Sequence, residues 1–152
     1  MNKNGYNKPI YCRFCKILSD KNNKILKTSE HTLTILSDPR LMSGHFLVIP
    51  KRHVERLSEL KQEERQDLLE EVTYLQEKII AMLAPGCDIC EHYRPFIPDN
   101  KLKVSHLHFH LRPRKLDDEL YTKVQIHEKE IFKNVEEEEV EKYRRMFSTG
   151  HY

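Results

Sequence analysis

"SHLHFHLRPR", residues 105–114, sets histidines at every second position: His106, His108 and His110, with only Leu107 and Phe109 between them. On an extended strand, alternate side chains share a face and stand about 7 Å apart. The spacing therefore predicts imidazoles on one face and the two apolar side chains anchored in the other. Arg112 continues the histidine face, and Arg114 lies just past Pro113. Imidazoles beside guanidinium groups suit a phosphate-bearing substrate. Chance clustering among nine histidines does not readily give strict alternation over five residues. A metal held by all three is excluded, because bonds of about 2 Å cannot reach both outer members of the row. A plain solvated edge strand has no use for Leu107 and Phe109 on its reverse.

The surrounding chain reads as strands about one long helix. "NKILKTSEHTLTILSDP" (23–39) predicts two short strands, with Leu33 and Ile35 alternating with Thr32 and Thr34 and a stop at Asp38-Pro39. "GHFLVIP" (44–50) is a short apolar strand. In "LKQEERQDLLEEVTYLQEKIIAML" (60–83), Leu68, Val72, Leu75, Ile79 and Met82 recur at helical spacing. Glu63, Glu64, Glu70, Glu71 and Lys78 fall mainly off that line, and Pro85-Gly86 ends the helix. "CDICEHYRPFI" (87–97) and "LKVSHLHFHLR" (102–112) predict two more strands, joined by a turn at Pro98-Asp99-Asn100. "NVEEEEVEKYRRMF" (134–147) predicts a helix capped by Asn134, its glutamates a solvated face. The fold class expected is α+β with an antiparallel sheet. A polar lead-in (1–11), a catalytic domain (12–114) and a charged, largely helical extension (115–152) divide the chain.

Composition narrows the function. The 152 residues suffice for one domain with a real core. A net charge of +2 demands neither nucleic acid nor an anionic membrane. No apolar run is long enough to span a bilayer, and the polar N-terminus "MNKNGYNKPI" lacks the apolar stretch of a signal peptide. A cytoplasmic protein is expected, whose four cysteines are reduced thiols or metal ligands.

Taken with "GHFLVIPKRH" (44–53), "YCRFCKIL" (11–18) and "LSDP" (36–39), the alternating histidines resemble the histidine triad (HIT) family of nucleotide hydrolases and transferases. That family carries His-φ-His-φ-His-φ-φ, with φ apolar; residues 106–111 fit, and Arg112 departs at the last position. The likeness runs over about residues 11–114, in the expected order. It implies a roughly five-stranded antiparallel sheet with one long helix, and pairing of two such domains as a homodimer.

The resemblance also implies roles. His108 matches the nucleophile, which attacks an α-phosphorus to give a covalent nucleotidyl-histidine. His110 matches the histidine that contacts the phosphate or bridging oxygen. His45 matches a fourth histidine near the phosphates. Asp38 matches an acid that binds ribose hydroxyls, and Phe14 and Ile17 match apolar residues lining a base pocket. Phe14 and Ile17 read equally as plain core, and Asp38 as a turn residue before Pro39. Neutral imidazole is a good nucleophile near neutral pH, which makes the chemistry sensible.

"CRFC" (12–15) is a zinc-type pair that needs two more ligands. In zinc-bearing branches of the family, ligands sit where Cys12, Cys15, His53 and His106 stand here, which implies a closed structural zinc site. The rival shell adds Cys87 and Cys90 of "CDIC", although on a strand those two face opposite sides.

One family feature is missing. Many members place Gly-Gln-Ser/Thr before the triad to serve the leaving group, and here Leu102 and Lys103 stand there. The Asn or Gln of the family further upstream falls near Pro95. Arg94 and Lys103 are candidates to supply phosphate contacts instead, beside Arg112, or are ordinary solvated bases. The functional expectation is a nucleotide hydrolase or nucleotidyltransferase acting through His108 on a dinucleoside polyphosphate or adenylylated compound. The alternatives are a nucleotide-binding regulatory module with little turnover, and an enzyme removing adenylate from nucleic-acid ends. Near-neutral charge weighs against the last.

Overall fold

A computed structural model of the chain describes residues 12–19 and 24–148; the lead-in at 1–11 lies outside the described residues. They divide into two compact units, one running to Lys115 and the other beginning at Leu116. In the first unit a short helix, α1 (Arg13–Ser19), precedes the strands β1 (Ile25–Thr28), β2 (Thr32–Leu36) and β3 (Phe46–Pro50). The long helix α2 (Gln62–Met82) follows, then β4 (Gly86–Glu91) and β5 (Phe109–Arg114). The strands form one antiparallel sheet in the order β1-β2-β3-β5-β4. The α+β class and five-stranded sheet expected from the sequence are thus present.

The period-2 pattern of the central strands explains the layering. β3 sends Val48 into a core shared with Leu68, Val72 and Ile79 of α2, while Leu47 and Ile49 join Leu33, Ile35, Phe14 and the cysteines of the α1 side. Leu107 and Leu111 are fully buried in the α2-side cluster, and Phe109 packs against it. The even-numbered residues of 106–112 are left for the α1 side, as alternation requires. Pro113 is tolerated in β5 because β3 pairs only with Phe109–Leu111, so that flank carries no ladder bond at Pro113.

Four details differ from the sequence reading. The expected strand 87–97 ends at Glu91, and the expected strand 102–112 begins only at Phe109. The connection between them is held by side chains instead. Asn100 Oδ1 accepts from the N–H groups of Leu102 and Lys103, and Asp99 Oδ1 accepts from Ser105. Met82, on the expected apolar line, is 74% exposed. Glu64 and Glu71, placed off the apolar line, are nonetheless buried, each neutralised by a cation: Arg52 forks onto Glu64 at 2.7 and 2.6 Å, and Lys27 pairs with Glu71. Glu64 also accepts the Lys61 N–H at 2.8 Å, capping α2.

The second unit holds a π-helical turn (Tyr121–Gln125), the short α3 (Ile126–Glu128) and α4 (Glu137–Ser148). α4 begins two residues later than a helix capped by Asn134 would, which puts Glu137, Glu138 and Glu139 in its first turn, where the helix dipole favours acids.

Candidate functional site

Residues from α1, β2, β3, β5 and the 92–108 connection converge on a cleft of about 670 Å³ on the α1 side of the sheet. Phe14, Ile17, Asp38, His45, His108, His110 and Arg112 all line it. Phe14 stands edge-on to the His108 ring, with centroids 5.0 Å apart. Ile17, Ile35 and Leu47 extend an apolar wall, and Asp38 at the rim pairs with Lys24 at 2.8 Å. Lys24, with Arg13 nearby, holds the Asp38 carboxyl below the usual range.

The backbone dictates which nitrogen of each ring carries its proton. A carbonyl can only accept, so His108 Nδ1 donates to the His106 carbonyl at 2.6 Å and its Nε2 keeps a free lone pair. A backbone N–H can only donate, so His45 Nδ1 accepts from Leu41 at 3.2 Å. His45 Nε2 then donates to His110 Nδ1 at 2.9 Å, which leaves the proton of His110 on Nε2. The outcome is one lone pair, on His108, beside one N–H donor, on His110, with ring centroids 4.7 Å apart. Gly44 makes this possible: it turns at φ +72°, and a Cβ there would stand 3.0 Å from Pro113 Cγ.

Burial keeps these rings neutral. Desolvation, then Arg112 and His108, lowers His45 to about 4. Desolvation, with neighbouring histidines and Arg112, lowers His110 to about 2. Desolvation also lowers His108.

A second cluster lies beside the cleft. Cys12, at the start of α1, Cys15, within it, His53, after β3, and His106 bring their donor atoms within 4.8 Å of one another. Cys12 Sγ is 3.3 Å and Cys15 Sγ 3.7 Å from His106 Nδ1, and Cys15 Sγ is 3.5 Å from His53 Nδ1. Zinc bonds of about 2.3 Å to sulfur and 2.1 Å to nitrogen imply tetrahedral edges of roughly 3.4–3.8 Å, so this donor set fits the ion. His106 Nε2 donates to the Pro50 carbonyl at 2.9 Å, which points Nδ1 at the sulfurs. Cys87 and Cys90 take no part: Cys87 packs toward α2, while Cys90 Sγ sits 3.7 Å from His92 on the other face.

Two residues expected to touch phosphate are not in the cleft lining. Lys103 turns to Asp99 and Ser105, and Arg94 reaches the His92 ring at 3.3 Å. Sequence reading missed His92, Lys24, Arg13 and Lys101, which do line the cleft. His92 had a signal available, a histidine at the exit of the strand beside the triad strand.

The HIT domain profile matches residues 19–117. The chain belongs to the HIT family. An adenosine 5'-monophosphoramidase of Schizosaccharomyces pombe is 31% identical to this HIT chain over 108 residues, 68% of the chain and 74% of the relative. A HIT family member from Bacillus subtilis superposes with a TM-score of 0.73 at 22% identity, covering 93% of this chain and 97% of that one. A zinc-bound histidine triad protein from Mycobacterium smegmatis superposes at 0.55 with 27% identity, over 72% of this chain and 78% of that one. Among the described residues, no helix is long and apolar enough to cross a membrane.

Proposed function

We propose that the protein is a cytoplasmic nucleotide hydrolase or nucleotidyltransferase that cleaves at an α-phosphate through a nucleotidyl-His108 intermediate. The observation that carries this reading is the ring arrangement: a lone pair fixed on His108 Nε2 next to an N–H fixed on His110 Nε2. The base would lie on Phe14 and Ile17, and Asp38 would take the ribose hydroxyls.

In the first step His108 Nε2 bonds to the α-phosphorus as the bond to the leaving group breaks, and the leaving group takes the electron pair. The His106 carbonyl, held on Nδ1–H, meets the positive charge that develops on the ring. His110 Nε2–H binds a phosphate oxygen or the bridging atom, and Arg112 lends positive charge. In the second step water, or another acceptor, bonds to phosphorus, the nitrogen–phosphorus bond breaks, and its electron pair returns to Nε2. With water as acceptor the product is the nucleoside monophosphate, and one proton leaves to solvent.

Cys12, Cys15, His53 and His106 would hold a zinc ion. It would fasten α1 to the segment that carries His108, with no role in the reaction. A homodimer is part of the same reading, on family likeness.

Product analysis tests the function. Wild type and His108→Ala are incubated with dinucleoside polyphosphates, nucleoside phosphoramidates and nucleotide sugars, with and without free phosphate. Turnover by the wild type that the mutant loses is expected. Turnover retained in His108→Ala rules out the nucleophile. The second reading, a nucleotide-binding module, is favoured by Leu102 and Lys103 where leaving-group donors stand in many relatives; tight binding without turnover across the panel would establish it.

A further inference from the structure

His92 has no role in the chemistry above, yet it stands inside the cleft. Its ring lies 5.3 Å from that of His110, at the exit of β4. Arg94 Nη2 approaches His92 Nδ1 at 3.3 Å. A guanidinium can only donate, so His92 Nδ1 accepts and the proton sits on Nε2. Among the described residues that N–H has only the Cys90 sulfur at 3.7 Å, a weak acceptor that a phosphate oxygen would displace readily. Arg112, on β5, lines the same cleft, and its Nε is buried with no hydrogen-bond partner among the described residues. A buried guanidinium N–H is costly without an acceptor, and an anionic oxygen in the cleft would meet both its hydrogen bond and its charge.

The leaving-group donors that many relatives place before the triad are missing here. Leu102 lines the cleft with an apolar, 82% exposed side chain, and Lys103 is engaged by Asp99 and Ser105. We propose that His92 and Arg112 form a subsite for the leaving group, and that it selects a phosphate or polyphosphate chain over an amine. The inference rests on the proposed His108 chemistry and names its substrate class, the nucleoside polyphosphate anhydrides.

The two leaving groups make different demands. An amine must gain a proton as the phosphorus–nitrogen bond breaks. A phosphate chain departs as its own anion, taking the pair from the phosphorus–oxygen bond, and needs only to have that charge met. A fixed N–H on His92 and a permanent cation on Arg112 meet charge. Arg94 is a positioning residue, acting through the His92 tautomer.

The full-length protein is assayed on diadenosine tetraphosphate and on an AMP amide with a primary-amine leaving group. Wild type is expected to prefer the anhydride in kcat/KM. His92→Ala lowers that preference by about tenfold or more, in line with the loss of one preorganised donor. His92→Gln, which restores an N–H donor, recovers most of it. Arg94→Ala lowers the preference by less. Equal losses on both substrates, or none, overturn the proposal.

A binding arm separates this subsite from the catalytic reading. Inorganic tripolyphosphate is titrated into wild type and His92→Ala by calorimetry. Binding weakened about tenfold in the variant supports the subsite whether or not turnover is found; no binding by the wild type overturns it. If His108→Ala retains activity, the catalytic reading fails while the tripolyphosphate result still decides the subsite.

Discussion

His45 Nε2 stands 2.9 Å from His110 Nδ1, and the Leu41 N–H on the far side of His45 fixes the direction of that bond. The backbone at Leu41 thus sets, through two hydrogen bonds, which nitrogen of His110 faces the cleft with a proton. His45→Phe keeps the ring volume roughly but frees His110 to adopt either tautomer. The expected loss is in kcat, by about a hundredfold, within the range of acid–base contributions, with KM changed little. Steady-state kinetics on the best substrate measures it. A loss confined to KM would show that His45 binds rather than positions.

The same two rings make stability depend on pH. In the unfolded chain both take up a proton near pH 6.5. Folded, they resist until about 4 for His45 and about 2 for His110. Below pH 6.5 the unfolded state therefore holds more protons, and stability falls as pH falls; above it these groups contribute no slope. One unit below 6.5 the two rings together cost about 3 kcal/mol, or roughly 6–12 °C in Tm for a chain this size. Thermal melts from pH 8 to 5 check the sign, and the slope should shrink in His45→Gln.

Zinc content is the next measurable consequence. With Cys12 at 3.3 Å and Cys15 at 3.7 Å from His106 Nδ1, the protein should carry one ion per chain, released by thiol modification and absent from Cys12→Ser. Because the cluster joins α1 to the strand approach, its loss should lower stability by about 3 kcal/mol, near 10 °C in Tm. Elemental analysis of freshly purified protein decides this; metal-free protein with an unchanged melt would remove the ion from the account.

Much of this was legible in residues 105–114. Alternation alone says that Leu107 and Phe109 anchor one face and that His108, His110 and Arg112 share the other, and the α2-side core and the cleft lining bear this out. The helix 60–83 was legible for the same reason, a period that burial of one face explains. What escaped were facts set by partners distant in sequence. The burial of Glu64 and Glu71, which fall off the apolar line of the helix, was hidden because Arg52 and Lys27, which neutralise them, belong to other elements. The strand at 102–112 starts late because Asp99 and Asn100 bind backbone that a ladder would otherwise use. His92 was passed over because its neighbours in space, His110 and Arg112, lie about twenty residues away in sequence.

Leu107 tests how strictly the apolar face supports the reactive one. It is 1% exposed, packed with Val54, Leu60 and Leu68, and its N–H donates to the Val54 carbonyl at 2.7 Å. Leu107→Ala removes a buried side chain between His106 and His108, at a cost of about 2–5 kcal/mol depending on how far the core relaxes. Leu107→Met keeps the volume and should cost less than about 1.5 kcal/mol. If the alternation serves only to hold the fold, both variants would turn over substrate at the wild-type rate per folded molecule. The expectation is otherwise: the cavity in Leu107→Ala lets the segment shift, and the 2.6 Å bond from His108 Nδ1 to the His106 carbonyl loosens with it. Denaturant melts and kcat measured on the same preparations separate the two effects, with kcat falling in Leu107→Ala and holding in Leu107→Met.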